Sequence, residues 1–561
     1  MLMNEHAKTW KEVNAIYQIY PRSFQDSNGD GVGDLQGIIQ RLSYLKGEPS
    51  SLGVDAVWFS PFFPSPMADF GYDVSNYCDI DPLFGTLDDF KELIAQAHER
   101  AVKVMIDFVP NHSSDQHPWF KISRSSRDND KRDYYVWRDA KPDGSPPNNW
   151  LSIFGGSAWE WDEATGQYYL HTFLKEQPDW NWDNPDVRRE MQEVLHFWFK
   201  LGVDGIRADA VRWISKDEHY RDDPKNHASQ NGPGDLAGGG GGDEYGSLIH
   251  VMSRFGPHLF SYLREMTDVV KQYPDRIMIF EDYPDSAYTT RDQYLGFYGI
   301  NPEVSMPFNF EGIGLPFVAE NYRRFITEFQ GFLNQDEHMP VYCFGNHDQH
   351  RMVSRLGEEQ ARVIALMQLG LPGLPVVYYG DELGMANGAI KPEEEQDPLN
   401  RIKPGLGQGR DPERTPMQWG SSQNAGFSDA KPWLPVAASY HTHNVTHELA
   451  ETDSYFNLYR RLLRLRDAYD VFHLGDYESS TDTHPDIYAF GRRHGDQHVF
   501  VVLNFSKKKR SFQLPHGGRV LVSSKPSDQP TIDRSGVLKL RDYEAAIVEC
   551  AHHPLVKNEM R

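Results

Sequence analysis

Four short segments carry the side chains best suited to acid–base and nucleophilic chemistry, and each lies at the end of a predicted buried strand. They span residues 107–112, 205–209, 280–282 and 344–348. Two of them contain the carboxylates Asp209 and Glu281. A pair of carboxyl groups held close together can act as a nucleophile and as a general acid and base. If the strands lie side by side in one barrel, their carboxyl ends meet at the face where barrel active sites lie.

The spacing of apolar runs predicts the elements that would bring these segments together. Short β-branched or aromatic runs predict eight strands, at residues 15–20, 56–60, 102–108, 205–208, 277–280, 303–307, 341–344 and 376–379. Helical patterns lie between them, for example at residues 86–101, 186–201, 257–272, 316–333 and 358–369. Because this alternation is typical of parallel βα units, the sequence predicts a (β/α)8 barrel.

Two connections of this barrel are much longer than the few residues that usually join a strand to a helix. Residues 113–178 contain strand-like stretches and predict an inserted subdomain after the third strand, and residues 215–246, with five glycines at 238–242, predict a mobile loop at the active-site mouth. After residue 470 the apolar period changes to two, which predicts an antiparallel C-terminal domain. The predicted boundaries are 1–112 and 179–470 for the barrel, 113–178 for the inserted subdomain, and 471–561 for a C-terminal β-sandwich.

Composition limits the class of partner. The 561 residues carry 81 acidic and 57 basic side chains, a formal net charge of −24, which would repel phosphate backbones and anionic lipids. We therefore expect a small neutral or cationic partner, with no nucleic acid, no membrane and no organic cofactor. The three cysteines form no CxxC pair, and no apolar stretch resembles a signal peptide or a membrane span. These features favour a cytoplasmic enzyme, as a monomer or a homodimer.

The four segments resemble the hallmark regions of the α-amylase superfamily, glycoside hydrolase family 13, and the similarity extends over nearly the whole chain. Three further stretches narrow the resemblance to the α-glucosidase and oligo-1,6-glucosidase branch: SPMADFGYD at 65–73, QPDWNW at 177–182 and RTPMQW at 414–419. The resemblance implies cleavage of a glycosidic bond with retention. That reaction uses one carboxylate as nucleophile and a second, about 5–5.5 Å away, as acid and base.

The resemblance implies a role for each carboxylate. Asp209 is expected to attack the anomeric carbon, and Glu281 to protonate the leaving oxygen and then activate water or an acceptor hydroxyl. Asp348 resembles the third family carboxylate, which binds sugar hydroxyls. Arg207 precedes Asp209 by two residues on one strand, so both side chains point to the same face and Arg207 can hold the carboxylate ionised.

Two histidines are also expected to bind sugar. His112 and His347 resemble a pair that hydrogen-bonds the hydroxyls of one sugar ring. Taken alone, each is better explained as a buried structural residue, and the assignment depends on the coincidence of the four segments. Asp107 is expected to orient Arg207, and Asp282 is left outside the catalytic set.

The resemblance further implies a pocket closed at one end, which separates an exo-acting glucosidase from an amylase with an open groove. Asp69 and Arg414 are expected to pair across its floor and to bind the outer hydroxyls of the terminal glucose. Tyr72 is expected to stack on the apolar face of that glucose, and Phe173 to form part of the opposite wall. The alternative for Tyr72 is a packed core aromatic.

Residues 26–34 present oxygen atoms at alternate positions, from Asp26, Asn28, Asp30, the carbonyl of Val32, and Asp34. The pattern is similar to the first part of a calcium-binding loop but lacks the final glutamate of an EF-hand. The family resemblance implies a structural Ca2+ on this loop, with Mg2+ as the other candidate ion. The alternative is an Asp/Asn/Gly turn without a metal.

Three classes of function remain open. The first is an exo-acting α-glucosidase, with a small residue, Ala210, after the nucleophile; this resembles α-1,4-acting enzymes, whereas valine there resembles oligo-1,6-glucosidases. The second is a transglucosylase or isomerase of the same fold, such as a trehalose synthase, in which a sugar replaces water as acceptor. The third, a non-catalytic partner like the heavy chains of amino-acid transporters, is disfavoured because Asp209 and Glu281 are both present and no membrane anchor is recognised.

Overall fold

Eight parallel strands form a closed barrel in the computed structural model, which describes residues 8–227, 242–285, 289–333, 338–402, 404, 408–480, 484–515 and 517–550. Each strand pairs with the next along the chain, and the last pairs with the first. The strands are β1 (Ile16–Ile19), β2 (Ala56–Phe59), β3 (Lys103–Phe108), β4 (Gly205–Ala208), β5 (Ile277–Phe280), β6 (Ser305–Asn309), β7 (Val341–Cys343) and β8 (Leu374–Tyr378). The predicted (β/α)8 barrel is confirmed.

A helix follows every barrel strand. These helices are α1 (Leu35–Leu45), α2 (Leu87–Glu99), α3 (Pro185–Leu201), α4 (Leu259–Val270), α5 (Thr290–Tyr298), α6 (Ala319–Phe332), α7 (Glu358–Gly370) and α8 (Tyr455–Ala468). Their ends follow ordinary capping chemistry: Thr86 and Asp89 form a capping box at the start of α2, and Gly202 ends α3 with a left-handed φ of 114°. Shorter helices span Pro118–Ser125, Gly242–Tyr245, Met352–Leu356, Pro398–Ile402, Val445–Ala450 and Val471–Leu474.

The barrel strands lie within two residues of their predicted bounds because they are buried apolar runs with polar segments at their ends. The largest differences are in β6 and β8. Strand β8 begins at Leu374, before the predicted residue 376, and includes Pro375. A proline lacks the N–H that a central strand normally donates, so the sequence pattern placed the start of this strand after it.

The insertion between β3 and α3 contains a three-stranded antiparallel sheet formed by Trp137–Arg138, Trp159–Asp162 and Gln167–Leu170. It is attached at its base by two bridges, His112 to Asp179 and Tyr135 to Trp180. Because His112 lies four residues beyond the end of β3, the same bridge fixes the insertion beside the open face of the barrel.

The C-terminal region consists of two antiparallel sheets. One contains Asp476–Ser479, Ile487–His494, Gln497–Asn504, Ala545–Cys550 and Gly518–Ser523, and the other contains Arg510–Gln513, Val537–Leu540 and Thr531–Ile532. A buried apolar cluster with side chains from both sheets lies between them, including Phe500, Phe512 and Leu538. The strands Asp476–Ser479 and Thr531–Ile532 were not predicted, because one is largely exposed and the other has only two residues.

Part of the predicted mobile loop, residues 228–241, lies outside the described residues, as do residues 551–561 of the predicted C-terminal domain. Within the described ranges, no helix is both long enough and apolar enough to cross a membrane.

Candidate active site

The carboxyl ends of the barrel strands surround a pocket of about 580 Å3, a volume that includes open solvent at its mouth. The three carboxylates predicted to be catalytic, Asp209, Glu281 and Asp348, line it. Five of the predicted binding residues also line it: Asp69, Tyr72, His112, Phe173 and Ala210. The remaining three lie behind this lining, with at most 1% of their surface exposed: Arg207, His347 and Arg414.

The guanidinium of Arg207 joins three carboxylates from different strand ends. Its Nη1 lies 2.6 Å from Oδ1 of Asp209 and 3.1 Å from Oδ2 of Asp107, and its Nη2 lies 2.9 Å from Oε1 of Glu281. Arg207 and Asp209 come from alternate positions at the end of β4, so their side chains share the inner face of the barrel. A single rigid cation thereby sets the relative positions of the two carboxylates that line the pocket.

Charge and burial act against each other at this site. Burial raises the pKa of Asp209 well above its ordinary value; Arg207 opposes the shift, and the negative charges of Glu281 and Asp107 add to it. Burial would also raise the pKa of Asp348, but His347 and then the adjacent arginines, Arg414 foremost, outweigh it and the pKa of that carboxyl is lowered. The pKa values of Asp209 and Asp348 are therefore shifted in opposite directions within one pocket.

The residue after Asp209 positions Glu281 through its backbone. Ala210 has a left-handed conformation, with φ 49° and ψ 37°. This turn directs its N–H to Oε2 of Glu281 at 2.9 Å. A side chain at position 210 is therefore constrained twice, by the left-handed backbone and by the pocket that it lines.

Tyr72 lies between a carboxylate and a histidine. Its hydroxyl donates to Oδ2 of Asp107 at 2.8 Å and lies 2.7 Å from Nε2 of His347, and its ring is parallel to the imidazole with centroids 5.6 Å apart. Burial lowers the pKa of His347 well below its ordinary value. Gln18 on β1 lies beneath, with Nε2 2.8 Å from Nδ1 of His347, and Trp58 on β2 donates to Asp107 at 2.6 Å. The sequence did not predict roles for Gln18 and Trp58. Both lie within strands, and their contacts with the site form only when those strands pair in the closed barrel.

His112 and Phe173 form one side of the pocket. Their ring centroids are 4.9 Å apart, and the Phe173 ring also packs at 5.4 Å against Trp213. Burial lowers the pKa of His112 to about 4. Gln177, the first residue of the QPDWNW motif, has its Nε2 3.1 Å from Nε2 of His112 and donates from the same atom to Asp69 at 3.2 Å.

The expected pair between Asp69 and Arg414 is wrong: Asp69 pairs with Arg410. Arg410 Nη2 lies 2.7 Å from Oδ1 of Asp69, and its Nε lies 2.7 Å from Oδ2 of Asp397. Arg414 instead lies 2.8 Å from Oδ1 of Asp348. The two arginines flank a 3-10 turn, Asp411–Glu413, whose orientation decides which of them reaches the pocket.

Several lining residues were not predicted as site residues: Ile153, Phe154, Arg212, Trp213, Tyr283 and Arg410. Arg410 could have been considered, because it precedes Arg414 by four residues in one polar segment. Phe154 and Ile153 lie in the insertion, whose path over the barrel has no local signal in the sequence.

The oxygen atoms of the 26–34 loop have the chemistry that Ca2+ prefers, but they accept hydrogen bonds from the loop itself. Asp26 accepts from the N–H groups of Asn28, Gly29 and Gly31, and Asp30 accepts from Val32 N at 2.8 Å. Asp34 accepts from Ser27 and caps helix α1. Within the described part of the chain, no group of three or more His, Cys, Asp or Glu side chains is placed to hold a metal ion. The cation stays a prediction.

A parallel barrel with paired carboxylates at its open face, an insertion after β3 and a C-terminal β-sandwich defines an amylase-type glycoside hydrolase. Comparison with protein-family models agrees with this class. The alpha amylase catalytic domain matches residues 18–475, and the maltogenic amylase C-terminal domain matches residues 478–547. The chain therefore belongs to the α-amylase family, glycoside hydrolase family 13.

Individual relatives narrow the branch. The chain is 39% identical over 576 residues to the oligo-1,6-glucosidase of Heyndrickxia coagulans. The alignment covers 96% of this chain and 98% of that protein. It is 40% identical over 520 residues to a Rhizobium meliloti protein named "Probable alpha-glucosidase", with 91% and 92% covered. The solved structure of an α-glucosyl transfer enzyme has a TM-score of 0.89 at 36% identity, covering 97% of this chain and 99% of that one. These relatives agree with the branch that the three short motifs predicted.

The position of Arg410 leads to a first prediction. Replacing it with methionine leaves Asp69 and Asp397 buried without their shared cation, so we expect Arg410→Met to lower kcat/KM for short oligosaccharides by about 100-fold or more, chiefly through KM. Arg401→Met is the control, because Arg401 is exposed on the neighbouring helix Pro398–Ile402. Steady-state kinetics of both variants test the assignment, and an unchanged KM in Arg410→Met would contradict it.

Proposed function

We propose that the protein is a retaining, exo-acting α-glucosidase. It would release glucose from the non-reducing end of short, maltose-like α-1,4-linked oligosaccharides and also transfer glucosyl groups to sugar acceptors. The observation that carries this proposal is the bridge of Arg207 between Asp209 and Glu281 in one pocket. Double displacement requires two carboxyl groups close together in one pocket, and their common contact with Arg207 holds Asp209 and Glu281 in that way.

The proposed reaction has two steps. Asp209 attacks the anomeric carbon while Glu281 gives its proton to the glycosidic oxygen, so that the bond between carbon and leaving oxygen breaks and a glucosyl ester forms on Asp209. Glu281, now a carboxylate, takes a proton from water or a sugar hydroxyl. The oxygen of that acceptor attacks the anomeric carbon, the ester breaks, and the Asp209 carboxylate and protonated Glu281 are restored.

Exo action is supported by the charged residues at one end of the pocket. Asp69, Arg410 and Asp348 are connected there by contacts of 2.7 Å and 3.4 Å, and all three line the pocket. Their polar atoms suit the hydroxyls of a terminal glucose, and the buried ion pairs would leave no passage for a longer chain. Tyr72 supplies the aromatic face at the same end.

The alternatives are a dedicated transglucosylase or isomerase, such as a trehalose synthase-like enzyme, and an oligo-1,6-glucosidase. The similarity to an α-glucosyl transfer enzyme supports the first, and the similarity to named oligo-1,6-glucosidases supports the second. Product analysis at high and at low maltose concentration therefore tests the proposal of hydrolysis. A ratio of transfer product to glucose that stays high at low maltose concentration would favour a dedicated transferase.

A second prediction concerns the two carboxylates. Asp209→Asn should abolish turnover because no ester can form, while binding of maltose is retained. Glu281→Gln should lose turnover of maltose but keep much of its kcat/KM for α-glucosyl fluoride, because ester formation from that substrate needs little protonation. Its kcat on the fluoride should fall, because the base of the second step is missing. Anomeric NMR of the first product should show the α-anomer. Turnover by Asp209→Asn, or a β-anomer as first product, would refute double displacement.

A third prediction concerns linkage. Because Ala210 has a left-handed backbone and lines the pocket, a branched side chain there would displace the leaving sugar and strain the turn that holds Glu281. We expect the parent to prefer maltose over isomaltose, and Ala210→Val to shift the ratio of their kcat/KM values about 10-fold toward isomaltose.

Ala210→Gly is the matched control, because glycine adopts the same backbone without strain and adds no bulk. It should keep the parent's ratio. A parent that prefers isomaltose, or a ratio unchanged in Ala210→Val, would show that linkage is selected elsewhere.

We also propose a structural Ca2+, or Mg2+, on the 26–34 loop, distant from the reaction steps. As a fourth prediction, Asp30→Ala or chelation should lower Tm clearly while reducing turnover at low temperature only slightly. The reason is that an ion bound only to the folded state stabilises the folded protein. Asp143→Ala is the matched control: like Asp30, Asp143 is exposed and accepts from the N–H two residues on. Elemental analysis that finds no bound metal would refute the site.

For the protein as a whole, we propose a cytoplasmic location and a monomer or homodimer. Its oligomeric state is testable by light scattering coupled to size-exclusion chromatography, where a larger assembly would contradict the proposal.

A further inference from the structure

The strand ends that carry Asp209 and Glu281 are also joined by a buried ion pair outside the proposed catalytic set. Arg212 lies in the 3-10 turn Val211–Trp213, just after β4, and Asp282 is the residue after Glu281. Arg212 Nη2 lies 2.6 Å from Oδ1 of Asp282, and its Nε donates to the same oxygen at 2.9 Å. Each of the two residues is 1% exposed. The pair therefore links the segments after β4 and β5 below the molecular surface.

Further donors fix the backbone beyond Glu281. Arg212 and Gln293 of helix α5 both donate to the carbonyl oxygen of Tyr283, Gln293 at 2.7 Å. Gln293 also donates to Oδ2 of Asp282. Arg212 and Gln293 thus bind both carboxylate oxygens of Asp282 and the carbonyl oxygen of Tyr283. Because they belong to two separate elements, together they hold the segment after Glu281 in one place.

A second arginine extends the network. Arg254 Nη2 lies 2.7 Å from Oδ2 of Asp285, to which Arg212 Nη1 approaches within 3.4 Å. The rings of Phe255 and Trp213 lie 5.3 Å and 5.5 Å from the guanidinium carbon of Arg212. Because these charges are buried, removing Arg212 would leave Asp282 without a cationic partner and allow the segment to move, although Asp285 keeps Arg254.

We propose that Arg212 is a positioning residue for Glu281, and that it sets the distance at which Glu281 reaches the oxygen of the leaving group. This inference rests on the proposed acid–base role of Glu281. Arg207 and the Ala210 N–H hold the carboxylate of Glu281 itself, whereas Arg212 holds the backbone that carries it, from the same turn that follows Asp209. A reacting group misplaced by about 1 Å can cost about 100-fold in rate.

Dependence on the leaving group is the readout that separates positioning from a purely structural role. Departure of a sugar from maltose needs a proton from the acid, whereas departure of fluoride from α-glucosyl fluoride needs far less help. We expect Arg212→Gln to lower kcat/KM for maltose by about 10- to 100-fold and for the fluoride by less than about threefold. Arg212→Lys, which keeps a cation near Asp282, should recover part of the maltose activity.

Arg466→Gln is the matched control. Arg466 is also 1% exposed, but it donates to the carbonyl oxygens of Leu369, Leu371 and Gly373, ahead of β8 at the opposite end of the barrel. It should lower Tm without distinguishing the two substrates. Losses of equal size on maltose and fluoride in Arg212→Gln, or no loss at all, would overturn the positioning role.

Glu281→Gln, measured alongside, separates failure of this inference from failure of the proposed function. If Glu281→Gln discriminates between the substrates and Arg212→Gln does not, the role of Arg212 is wrong and the proposed function stands. If Glu281→Gln itself does not discriminate, the acid role fails. Should circular dichroism show that Arg212→Gln does not fold, the isosteric Asp282→Asn gives the same comparison, and equal losses on both substrates there would overturn the inference.

Discussion

One guanidinium determines the geometry of the pocket. Arg207 is contributed by β4, yet it contacts Asp107 near the end of β3, Asp209 just after β4 and Glu281 just after β5. Its planar fork fixes direction as well as distance, which a flexible lysine cannot do. Because these carboxylates are buried, none of them can be separated from the cation without leaving a charge unpaired. The register of three neighbouring strands and the spacing of the pocket's carboxylates are therefore parts of a single constraint.

The barrel and the main carboxylates could be predicted because their signals are local. Each strand is a short apolar run bounded by polar residues, and Asp209 and Glu281 immediately follow two of those runs. Parallel pairing then brings the strand ends to one face without further information. The C-terminal sandwich was predictable from alternation in the same way, apart from two strands: the exposed Asp476–Ser479, which lacks a regular apolar pattern, and the two-residue Thr531–Ile532.

The rest depends on contacts between distant parts of the chain. Asp69 and its partner Arg410 are more than three hundred residues apart, and the choice between Arg410 and Arg414 depends on the orientation of one 3-10 turn. Gln18 is a polar residue in a buried strand, and nothing in its neighbourhood indicates that it meets His347. Arg212 similarly acquires its partners only when β4 and β5 are side by side. The closed barrel, and not any local sequence motif, determines the contacts of these residues.

The pocket also has an unbalanced charge. Among the described residues, the ion pairs in and behind its lining join eight acidic side chains and five arginines: Asp69, Asp107, Asp209, Glu281, Asp282, Asp285, Asp348 and Asp397, with Arg207, Arg212, Arg254, Arg410 and Arg414. Negative potential that is not fully compensated attracts positive charge into a pocket. An anomeric carbon that becomes cationic as its bond breaks is stabilised there more than the neutral sugar is. Protonated amines of similar size exploit the same potential, so amine buffers would compete with sugar for this enzyme.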